Sequence, residues 1–60
     1  MDESFVKSKK LFVDQFNKIR LFKDEYYELL REYEDSYEII DETDKVVVWV
    51  QENFYEVRGV

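Results

Sequence analysis

The sequence predicts an α+β domain, with two N-terminal helices (or one long helix) followed by an antiparallel β-hairpin or meander. Three observations carry this. Apolar residues recur at 3/4 spacing through the first 36 positions, the signature of an amphipathic helix. Residues 46–50 read Val-Val-Val-Trp-Val, a composition that favours a strand. There is no proline and the single glycine is Gly59, so boundaries have to be read from periodicity and caps.

Taken in order, residues 3–22 form the first expected helix. Phe5, Phe12, Phe16 and Ile19 make its stripe, and Val6 and Val13 widen it. Asp2 or Ser4 would cap its start. Lys9 falls on the stripe, where a long aliphatic stem can lie along apolar surface. Residues 24–36 form the second, with Tyr26, Leu29, Leu30 and Tyr33 on its apolar face, Asp24 as N-cap and Glu25 favoured by the helix dipole. The junction at Lys23 is weakly marked. A single helix over 3–36 therefore stays open, and it would require a dimer to bury its stripe.

Residues 37–60 change character. Tyr37-Glu38-Ile39-Ile40 and Val46–Val50 read as paired strands joined by the polar loop 41–45, although no Asn-Gly or Asp-Gly marks a tight turn. A third strand, Phe54 to Val57, would follow a turn at Glu52-Asn53. The competing reading is a helix from Lys45 to Arg58. Val47, Val50, Phe54 and Val57 would share its face and Gly59 would stand as its C-terminal cap, giving a three-helix bundle. No internal repeat is recognised.

Sixty residues make a single small acidic domain, 1–60. A chain this short buries only about 60% of the surface it exposes when unfolded. With no cysteine there is no disulfide to staple it. Its core must come from aromatics, which make up 18% of the residues. The start, Met1-Asp2-Glu3-Ser4, lacks the basic region and apolar run of a secretory signal. The apolar run at Val46–Val50 falls far below the ~20 residues that span a bilayer. A cytoplasmic protein is expected.

Histidine and cysteine are absent, which removes the usual general base, the commonest metal ligand and the thiol nucleophile. Ser4, Ser8, Ser36 and Thr43 have no base arranged beside them in a motif, and no glycine-rich loop is present to cradle phosphate. The acids from Asp35 to Asp44 do not keep EF-hand spacing and lack its glycine. No enzyme activity, cofactor or metal is expected.

Charge is the feature that stands above background. The net charge is −6, but its distribution is uneven. Residues 1–23 hold six Lys/Arg against three acids, residues 24–44 hold ten acids against Arg31 alone, and residues 45–60 balance. On a helix Asp24, Glu28 and Glu32 would lie at i, i+4 intervals, about 6 Å apart along the axis. The acids Asp24, Glu25, Glu28, Glu32, Glu34, Asp35, Glu38, Asp41, Glu42 and Asp44 are the candidate partner-binding residues. Tyr27 and Tyr37 are expected as surface anchors among them, while Tyr26, Tyr33 and Trp49 are assigned to the core.

A strip of carboxylates can stand in for the phosphates that dominate nucleic-acid affinity. The expected partner is therefore a basic protein, one that binds nucleic acid, and the chain would act as a phage-like inhibitor that mimics DNA. Direct nucleic-acid binding is disfavoured by repulsion. Three rivals stand beside this. One is a solvated face, neutralised in part by the basic N-terminal segment. Another is a homodimeric structural module, or an antitoxin-like inhibitor of a basic enzyme. The last is a membrane-surface helix built on Lys7, Lys9, Lys10 and Lys18, which the overall charge opposes.

Overall fold

The computed structural model describes residues 3–55, and these form an antiparallel β domain. The strands are β1 (Ser4–Ser8), β2 (Phe12–Val13), β3 (Ile19–Leu21), β4 (Tyr26–Glu32), β5 (Ser36–Ile40), β6 (Val46–Val50) and β7 (Phe54–Tyr55). A 3-10 turn, Gln51–Asn53, links the last two. Five strands form one sheet in the order β6-β5-β4-β1-β7, and β2 and β3 form a separate ribbon.

Both expected helices are overturned, and with them the α+β class and the three-helix alternative. The 3/4 pattern was a coincidence of strands and turns. Of the supposed first stripe, Phe5 and Phe12 are half-buried in β1 and β2, whereas Phe16 is 74% exposed at a hairpin tip and Ile19 faces solvent. In the first half of β4 the strand period of two decides burial: Tyr27 and Leu29 turn inward while Tyr26 is exposed. Leu30 is the extra residue at a register shift and Tyr33 lies past the strand end, and both are exposed as well. Asp24 is not an N-cap but a turn residue with φ 65°. The strands β5 and β6 lie where the hairpin was expected, around the loop 41–45. β7 covers Phe54 and Tyr55 of the expected third strand, preceded by the 3-10 turn rather than a two-residue one. Asp2, Val57, Arg58 and Gly59 lie outside the described residues.

The core is Val6, Leu21, Tyr27, Tyr37, Ile39 and Phe54, with Phe12, Leu29, Val47 and Trp49 packed against it. Ring contacts fasten its two ends. Phe12 lies against Trp49 at 4.9 Å between centroids, which seats the β2–β3 ribbon on β6. Phe54 meets Tyr37 edge-on at 5.8 Å, which brings β7 over β5 and rolls the sheet. Ser8, fully buried, marks where the chain leaves β1: its amide donates to the Glu25 carbonyl, its carbonyl accepts from the Asp24 amide, and its hydroxyl donates to the Lys10 carbonyl.

Turns without glycine make this fold possible. Asn17, Asp24 and Asp44 all adopt positive φ, near 65°. Asn and Asp tolerate this left-handed region better than other non-glycine residues because their short side chains bond locally.

Candidate functional site

Two of those turns are the same structure. Residues 14–18 read Asp-Gln-Phe-Asn-Lys and residues 41–45 read Asp-Glu-Thr-Asp-Lys. In each, the fourth amide donates to the carbonyl of the first Asp, at 3.1 Å for Asn17 and 3.0 Å for Asp44. In each, the Asp amide donates to the Lys carbonyl, at 2.9 Å and 3.0 Å. Each Asp also uses Oδ1 to hold its own loop. Asp14 accepts from the amides of Phe16 (2.8 Å) and Lys18 (3.0 Å), and Asp41 accepts from the amides of Thr43 (2.8 Å) and Lys45 (3.3 Å). A turn closed in this way and followed by a left-handed residue is a common three-residue hairpin loop. The spacing Asp-x-x-(Asn/Asp)-Lys was the internal repeat that sequence reading missed.

Arg20 ties the two turns together. The pairing of Phe12 with Leu21 and of Val13 with Ile19 leaves Arg20 as the extra residue of a bulge in β3. Bulges re-aim a side chain, and this one sends the guanidinium to both aspartates. Arg20 Nε and Nη2 each lie 2.6 Å from Asp41 Oδ2, and Nη1 lies 3.7 Å from Asp14 Oδ2. The backbone joins in, as the Glu42 amide donates to the Arg20 carbonyl at 2.9 Å. The Asp41 side chain is fully buried. Burial pushes its carboxyl up, but hydrogen bonds from Thr43, Arg20 and Lys45 outweigh that and hold it below the ordinary value. The Asp14 carboxyl is also held low, chiefly by the Lys18 amide.

The candidate acids thus separate by role. Asp41 is a buried structural ion. Glu42 is occupied, because its carboxylate accepts from the Tyr27 hydroxyl at 2.8 Å, and that hydroxyl in turn accepts from the Phe22 amide at 2.7 Å. Glu38 accepts from the Tyr33 hydroxyl at 3.1 Å. Asp24, Glu25, Glu28, Glu32, Glu34, Asp35 and Asp44 are exposed, and among the described residues none of these carboxylates forms an ion pair. They do not form one helical strip. Glu28 and Glu32 stand on β4 on either side of the register shift at Leu30, not one helical turn apart. Glu32, Glu34 and Asp35 gather at the β4–β5 turn, while Asp24, Glu25 and Asp44 lie at the opposite end of β4.

The tyrosines exchange places with their expected assignments. Tyr27 and Tyr37 are buried, while Tyr26 and Tyr33 are exposed. Burial raises the Tyr27 phenol to about 12, with Glu42 adding to the rise. Trp49 is half-buried, as the core assignment expected. Lys7 lies over the rings of Tyr26 and Tyr55, at 5.6 and 6.0 Å. Of the N-terminal cations, Lys7 and Lys9 lie over aromatic rings and Arg20 pairs with Asp14 and Asp41; among the described residues none forms an ion pair with the exposed acids.

Three acids never converge to hold a metal ion among the described residues. Nor is any helix there long and apolar enough to cross a membrane. What the fold and surface define is a small antiparallel β domain with a divided acidic rim. No protein-family model, no curated protein and no solved structure matches the chain.

Proposed function

We infer that this chain is a non-catalytic cytoplasmic binding module that offers its exposed carboxylates to a basic protein, acting as an inhibitor at a surface that otherwise takes nucleic acid. One observation carries the reading: seven of the candidate carboxylates are exposed with neither an ion-pair partner nor a side-chain hydrogen bond to a tyrosine among the described residues. Charges left unneutralised at the surface create a field that steers an oppositely charged partner. The ordered β4–β5 turn supports it, since Glu32, Glu34 and Asp35 are held by a hairpin whose turn is closed by the Tyr33 amide on the Ser36 carbonyl at 2.8 Å. A rigid carboxylate set loses less entropy on binding than a disordered acidic tail. Lys and Arg of a nucleic-acid groove supply the donors that carboxylates accept best.

The test is capture from a host-cell extract at low and high salt, with the wild-type chain and a Glu28→Lys, Glu32→Lys, Asp35→Lys triple variant. The expected result is a basic nucleic-acid-binding protein that elutes as salt rises, escapes the triple variant and is displaced by added nucleic acid. Capture that ignores both salt and the reversals sinks the reading. Capture that depends on charge but resists nucleic acid leaves an inhibitor of a basic enzyme and removes the mimicry.

A further inference from the structure

The two edges of the sheet differ. β7 pairs with β1 over Phe54–Tyr55, the last of the described residues, whereas β6 runs for five residues and has no strand on its outer side among the described residues. Monomeric proteins blunt such an edge with lysine, proline or a bulge. Val46–Val50 holds no charge and no proline, and it pairs with β5 in unbroken register. Val46, Val48 and Val50 face outward and are 58%, 56% and 48% exposed. Beside the same strand, a groove of about 300 Å³ is lined by Phe12, Val13, Val47, Val48 and Trp49 together with Asp14 and Arg20. The Trp49 Nε1 beside it is buried without a hydrogen-bond partner.

We propose that β6 is the seam of a homodimer, pairing antiparallel with β6 of a second copy about Val48. A twofold contact must match the same surface to itself. Pairing about Val48 does so: Val48 meets Val48 of the copy, and Val46 meets Val50. On the inner side Val47 comes opposite Trp49 of the copy, which brings that indole to the mouth of the apolar groove.

Charge selects a second copy as the occupant. The chain carries a net charge of −6, so most of its surface repels another copy, whereas the five residues of β6 carry no charge. The outward carboxylate nearest Val48 is Glu38, its pairing partner on β5. Across the seam two Glu38 side chains stand three strand spacings apart, about 14 Å, beyond the Debye length of about 8 Å in physiological salt. A second copy also supplies the apolar burial that a 60-residue chain without disulfides lacks.

Sedimentation velocity of the full chain, from about 1 to about 300 μM, tests this over the range expected for a small interface. Association should rise with concentration and be accompanied by a shift of the emission of Trp49, the single tryptophan, to shorter wavelength. Val48→Lys sets two lysines face to face at the twofold axis and should weaken association at least tenfold. Val48 is exposed, so circular dichroism should be unchanged. Val48→Cys provides a second readout that keeps the strand apolar, since mild oxidation should give a disulfide-linked dimer, whereas Glu28→Cys on β4 should not. A wild-type chain that stays monomeric throughout overturns the proposal. So does a Val48→Lys variant that folds and associates like wild type, or equal cross-linking of the two cysteine variants.

Discussion

Asp14 and Asp41 occupy the same position in two copies of one five-residue turn, and Arg20 binds both. The copies differ in burial. Asp41 is sealed and Asp14 is half-buried, so the shared guanidinium carries unequal weight toward each. It joins the tip of the β2–β3 ribbon to the β5–β6 turn, two parts of the chain that no strand pairing connects.

Removing Arg20 should therefore leave Asp41 as a buried charge without its cation. Breaking one side of such a pair costs about 3 kcal/mol. Urea unfolding of Arg20→Met should show a loss of this order. Arg20→Lys should recover only part of it, because one ammonium lacks the fork that reaches both carboxylates.

Acid should weaken the fold through the same group. The folded-state Asp41 carboxyl titrates below its ordinary 3.8, so the folded chain binds that proton less readily than the unfolded one. Its contribution is complete above the ordinary value and is lost as pH falls below it. Thermal melting at steps from pH 6 to pH 2 should show the decline, and Asp41→Asn should flatten it from a lower starting stability.

Tyr27 acts at the other end of the pH scale. Its phenol stays protonated up to about 12, so stability should fall as pH rises from the ordinary 10 toward that value. Ultraviolet titration should show a late step that is missing in Tyr27→Phe. That variant also strands the Phe22 amide and should lose about 1–2 kcal/mol.

Asp44 tests the glycine-free turns. Its φ of 66° suits glycine and excludes β-branched side chains. Asp44→Gly should fold as well as wild type, whereas Asp44→Val should be less stable than Asp44→Gly by about 1–2 kcal/mol in the same unfolding assay.

The sequence read true at the C-terminal hairpin, where strand composition competed with a helical reading of residues 45–58 and the strand prevailed. Val46–Val50 was legible as a strand because four β-branched residues and an indole suit a pleated surface, and the loop 41–45 followed from its polarity. It misled over residues 3–36, where phenylalanines of short strands and hairpin tips fell by chance at helical intervals. The cue that would have corrected it was the repeated Asp-x-x-(Asn/Asp)-Lys. Without a glycine it did not resemble a turn, although Asn and Asp can perform the same backbone task.

By itself the sequence determined the charge, the absence of histidine and cysteine, the aromatic supply of the core and the strand-favouring composition of residues 46–50, because these depend on composition and on local preference. Only the tertiary structure decided which acids are free. Asp41 and Asp44 are three residues apart in one turn, yet one is sealed under Arg20 and the other faces water. That difference arises from a bulge in β3, 21 positions away from Asp41, and a contact at that separation leaves no trace in local periodicity.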